Sequence, residues 1–168
     1  MLVSWSSFFS LTGSAGATLV GLLFVVVTLN TKLSTSRTLD IAHASMTPAL
    51  YCFTDVLLQS MLVLAPWGSD QPSGVALAAL GVWGLIYRVN MVLVRRGLHL
   101  RAIQRPVDRI FHNLAPVCAS LILVVGGAGL IAGATFAPFA IAGSSTLLLV
   151  SGIYRTWGET LALIGSRE

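Results

Sequence analysis

The sequence predicts an all-α protein, a polytopic transmembrane helical bundle of about five spans, and three observations carry that reading. Of 168 residues, 55% are hydrophobic and only 10% are charged, with a mean hydropathy of +0.86. Soluble domains carry roughly 25% charged residues, so this chain has too little polar surface to cover a water-soluble globule. The apolar residues fall into five runs of helix-spanning length. Every lysine and arginine lies on alternate connections or at the span ends that adjoin them.

The first span covers about 8–29 and holds no charge. Trp5, Phe8 and Phe9 stand at its outer end, where aromatic rings favour the headgroup region. Gly13, Ala17 and Gly21 recur every four residues, a small-xxx-small stripe that predicts close packing on another helix. The first charge is Lys32, so the opening segment lacks the basic start of a signal peptide and is expected to remain as a helix. The second span, about 47–67, turns through Gly68, Ser69, Asp70, Gln71 and Pro72 into the third, about 73–94. A basic loop, 95–111, follows, and Pro106 breaks any continuous helix there. The fourth span, about 112–133, carries Gly129 and Gly133 as a GxxxG pair. Phe136, Pro138 and Phe139 open the fifth, about 136–157. The chain reads as a single transmembrane domain, 1–168.

Orientation follows from the basic residues. Lys32 and Arg37 separate spans one and two; Arg95, Arg96, Arg101, Arg105 and Arg109 separate spans three and four; Arg167 is in the tail. Arg88 and Arg155 lie near the same ends of spans three and five, and none of the 10 basic residues falls on the other side. The positive-inside rule puts that face in the cytoplasm and the N-terminus outside. Net charge +4 then reads as a surface for anionic inner-leaflet lipid, and no nucleic-acid partner is expected. The hydrophobic residues within the basic loop fit a segment lying on that leaflet.

An internal repeat is also legible. Ile86-Tyr87-Arg88 matches Ile153-Tyr154-Arg155; His43 and Pro48 match His112 and Pro116; Pro72 matches Pro138. The offsets run from 66 to 69 residues, which predicts one lone helix followed by two parallel copies of a hairpin.

Asp55 is the most informative residue. It lies about 12 Å into its span at 1.5 Å per residue. Thr47, Tyr51, Asp55 and Gln59 form one polar line at four-residue spacing. An acid at that depth costs roughly 2.5–3.5 kcal/mol unless it finds a partner or water. Arg88 is the expected partner, because span three returns antiparallel, and Asn90 adds a polar group beside it. The pair either lines a pathway or pins two helices, while Arg88 and Arg155 can also snorkel to water. Ser144, Ser151, Arg155 and Glu159 make a second polar line on span five, open to reading as a pore lining or as helix–helix hydrogen bonding. His43 and His112 are weak haem candidates, and no carboxylate or cysteine pattern completes a metal site. Cys52 and Cys118 read as small buried hydrophobes. No GxSxG, HExxH, Walker or dinucleotide motif occurs, so neither an enzyme nor a cofactor is expected.

The segment from Phe8-Phe9 through Gly21-Leu22-Leu23-Phe24-Val25 to Asn30 resembles the first helix of small, poorly characterised bacterial inner-membrane proteins. The resemblance covers about one-sixth of the chain; it implies an inner-membrane location and carries no activity. The tryptophan- and proline-rich pattern of the five-helix tryptophan-rich sensory proteins is not present. The leading functional expectation is a homo-oligomeric channel or small-solute conduit. The alternatives are an accessory or assembly subunit of a larger membrane complex and, more weakly, a haem-binding redox protein.

Overall fold

The computed structural model describes residues 2–31, 36–97 and 114–165. Among these the protein is all-helical: a 3-10 turn, Leu2–Trp5, leads into α1 (Ser6–Thr31), followed by α2 (Ser36–Leu64), α3 (Asp70–Gly97), α4 (Ala115–Ile131) and α5 (Ala137–Gly165). Three segments, Leu2–Val26, Asp70–Asn90 and Ala137–Trp157, are long and apolar enough to cross a membrane, and Pro48–Leu64 and Ala115–Ile131 are shorter apolar stretches. At 1.5 Å per residue, a 21-residue helix spans about 31 Å, against a hydrocarbon core of about 30 Å. The second helix begins well before the predicted span and runs through Pro48, which forfeits one backbone hydrogen bond without ending it. The basic loop lies almost wholly outside the described residues.

The helices alternate in direction. At one end, Phe9 of α1 packs with Val63 near the end of α2, Leu77 near the start of α3, Leu130 at the end of α4 and Ile141 near the start of α5. A middle layer joins Cys52, Val56, Ala119 and Leu148, and a third joins Leu23, Ala49 and Phe53. The outer face is correspondingly apolar, with Leu11, Phe24, Val75, Trp83, Phe139 and Trp157 all exposed.

Neighbours in sequence are not always neighbours in packing. The closest pair is α3 with α4, where Cβ atoms built on Gly127 and Gly81 would lie 2.6 Å from the Ala78 amide nitrogen and 2.8 Å from Val124 Cγ2. By contrast, α2 and α3 meet over few residues, and α2 packs instead on α1 and α5. The two expected hairpins therefore differ: α4 lies along α5, whereas α2 and α3 diverge after their short turn. At that turn the Trp67 indole donates to the Leu62 carbonyl at 2.6 Å, covering the end of α2.

Two glycine expectations change on inspection. Gly133 has φ of 70°, the Ala134 amide donates to the Gly129 carbonyl at 2.8 Å, and the Gly133 amide donates to Leu130 at 3.1 Å. That is a Schellman cap, so Gly133 ends α4 and no neighbouring helix packs against it; only Gly129 meets α5, at Ala137. On α1, Gly13 and Gly16 face α2, while Ala17 and Gly21 point outward. A four-residue step advances 400° around a helix, so such a line drifts about 40° per step and leaves the contact face.

Gly127→Ala should loosen α3 from α4 and lower stability by about 1–3 kcal/mol, the range for overpacking. Gly143→Ala, with nothing within 4 Å, should leave thermal melting in detergent unchanged.

Candidate functional site: a polar seam along α2

Over Cys52 to Ser60, α2 presents a polar group to each of its neighbours. Asp55 Oδ2 accepts from Arg88 Nη2 of α3 at 2.7 Å, with both side chains 11% exposed. The other arm of the guanidinium, Nη1, donates to the Ser120 hydroxyl of α4, which donates in turn to the Pro116 carbonyl at 3.1 Å. A single arginine thus joins three helices.

Local sequence explains how Arg88 reaches both partners. Side chains on a helix lean toward its N-terminus, so Arg88 runs back over the residue four before it. That residue is Gly84, and a Cβ there would sit 2.7 Å from Arg88 Nη1 and 3.5 Å from Asp55 Oδ2. Gly84 leaves the space in which the guanidinium lies flat. Ser120 and Gly84 were not singled out from the sequence. The available signals were a lone hydroxyl one turn after Pro116 and a glycine one turn before an arginine.

One turn further along, Gln59 is fully buried and its Oε1 accepts from the Ser145 hydroxyl of α5 at 2.7 Å. Gln59 Nε2 is buried with no hydrogen-bond partner among the described residues. Ser60, the next residue, meets Thr12 of α1 at 3.3 Å between hydroxyl oxygens. At the other end, Cys52 is buried against Ala119 of α4 and Leu148 of α5.

The structure gathers some predicted site residues and disperses others. Tyr51 stacks on Tyr87 with ring centroids 4.2 Å apart and is 45% exposed in the crevice between α2 and α3. The line Tyr51, Asp55, Gln59 therefore turns from an exposed crevice at Tyr51 to the buried interior at Gln59, through the same 40° drift. Asn90 is exposed. On α5, Ser144 donates across to the Ala119 carbonyl of α4 at 2.8 Å, while Ser151 bonds its own helix at Leu147, 2.7 Å away. Arg155 is buried. Glu159 and His43 fall on α5 and α2 with side chains outside the described residues, and His112 lies outside them altogether. Among the described residues no three His, Cys, Asp or Glu side chains group as metal ligands.

Compared with family models, curated proteins and solved structures, the chain matches none.

Asp55→Leu alone should strand the Arg88 charge and destabilise the protein by up to about 3–5 kcal/mol, the cost of breaking a buried pair. Asp55→Leu combined with Arg88→Leu should melt closer to wild type than either single variant. If the double variant were the least stable of the three, the pair itself would be the stabilising element.

Proposed function

We propose that this chain crosses the membrane five times, N-terminus outside and C-terminus in the cytoplasm, and that several copies assemble into an ion or small-solute conduit. A bacterial inner membrane is the expected setting, with the basic loop on anionic inner-leaflet lipid. The observation that supports the reading is the Asp55–Arg88 pair, held midway along the apolar stretch Pro48–Leu64 of α2, beside a crevice where α2 and α3 meet over few residues. Charged groups at that depth are rare and belong to pathways or to buried clasps. Tyr51, stacked on Tyr87, extends the polar character of the crevice along its exposed side. The two halves of a duplicated hairpin would supply unequal walls, since only α4 and α5 pack tightly within their own copy.

A second reading, an accessory subunit of a larger membrane complex, draws on Trp83. This ring lies near the middle of α3, 73% exposed, away from the helix ends where tryptophan ordinarily sits. A partner helix would bury it.

Native mass spectrometry of the protein purified alone separates the two. The conduit reading expects one closed homo-oligomer, with currents in planar bilayers that change on Asp55→Asn. A monomer, or a species formed only with foreign polypeptides, would favour the accessory role. A Soret band in well-expressed protein would point instead to haem on His43 and His112.

A further inference from the structure

The polar groups along α2 are sealed against one another, and that limits what can pass between them. Gln59, Ser60 and Ser145 are all buried, as is Thr12. A metal or halide ion needs either a bore wide enough for its water shell or a ring of oxygens to replace it. A proton needs neither, because it moves by exchange along hydrogen bonds.

Two features make the seam a route for such exchange. Asp55 is a carboxylate held by Arg88 of α3, whose other arm holds the Ser120 hydroxyl of α4. Its i,i+4 neighbour is Gln59, whose Nε2 is a buried donor with no acceptor among the described residues. A buried amide group left without a partner is costly, and water is the usual remedy. A water accepting from Nε2 has two hydrogens to give, one toward Asp55 and one toward the hydroxyls beyond.

We propose that the species carried is the proton, and that it travels inside each chain along the α2 seam, with Asp55 as carrier and a Gln59-bound water as the link to the Ser145 and Ser60–Thr12 hydroxyls. This rests on the conduit reading and names its substrate. A proton entering from the crevice forms an O–H bond on the Asp55 carboxylate, and the ion pair opens while Arg88 keeps Ser120. Asp55 then gives that proton to the water, which releases a different one of its own to the next hydroxyl oxygen as that hydroxyl gives up the hydrogen it already carried. One proton moves on; the carboxylate and the water end as they began. From Asp55 to Ser60 the seam covers about 7.5 Å of helix. Beyond Thr12 lie edge-to-face rings, Trp5 on Phe139 at 4.7 Å and Phe8 on Phe9 at 5.2 Å.

The test uses the full-length protein in liposomes containing a pH-sensitive dye under an imposed membrane potential, beside parallel assays of sodium, potassium and chloride flux. Proton flux without the other ions is expected, reduced at least tenfold by Asp55→Asn and several-fold by Gln59→Leu. Ser145→Ala gives a second handle on the seam should Gln59→Leu alter the melting temperature. Sodium, potassium or chloride flux matching that of protons would overturn the proton assignment and leave the conduit standing. Unchanged proton flux in both folded Gln59→Leu and Ser145→Ala would remove the seam as the route. No flux of any ion through folded wild-type protein would sink the conduit reading itself, and this proposal with it.

Discussion

Every described helix is tied into the bundle through hydrogen bonds that begin or end near one short stretch of α2. Apolar packing alone is a weak organiser where the surroundings are also apolar, because burial against a neighbour and burial against hydrocarbon differ little. Polar contacts then choose the arrangement. Ser60 finds α1, Asp55 finds α3 and through Arg88 reaches α4, and Gln59 finds α5. The pairing of Arg88 with two partners at once turns a possible liability, a charge among apolar side chains, into the joint between three helices. Remove the counter-charge and the same residue becomes the most costly group in the interior.

Much of this architecture is legible before any coordinates. Helical class follows from apolar run length, and the Asp55–Arg88 partnership from depth and antiparallel return. What the sequence does not reveal is which face each polar residue turns to. Gln59 and Asp55 sit four apart, yet one meets α5 and the other α3. Ser144 was visible as a polar residue, but its neighbour Ser145, about 100° further round the helix, is the one that meets Gln59. Gly133 shows a related limit. Spacing four from Gly129 marks it equally as a packing glycine or as the residue that ends a helix, and only its backbone conformation decides.

Small residues and polar residues do different work here. The α3–α4 contact is made by removing side chains, Gly74, Ala78 and Gly81 against Ser120 and Gly127, so that backbones nearly touch. The α2–α3 contact is made by extending them, with Asp55, Arg88 and two tyrosines bridging a gap. The first is rigid and has no slack. The second can lengthen without tearing apart close-packed backbone, so α2 and α3 have slack between them that α3 and α4, or α4 and α5, do not.

Packing order also sets a timetable for biogenesis. A chain made from its N-terminus can join α1 to α2 as soon as both are inserted, and α3 to α4 shortly after α4 emerges. Gln59 must wait longer, because its partner Ser145 is 86 residues further on. Until the last helix arrives, the amide side of α2 is unshielded in lipid, and a polar group in that position invites pairing with any other helix nearby. On the five-span reading proposed above, the nascent protein is at its most vulnerable to wrong partners during the interval before α5 leaves the ribosome.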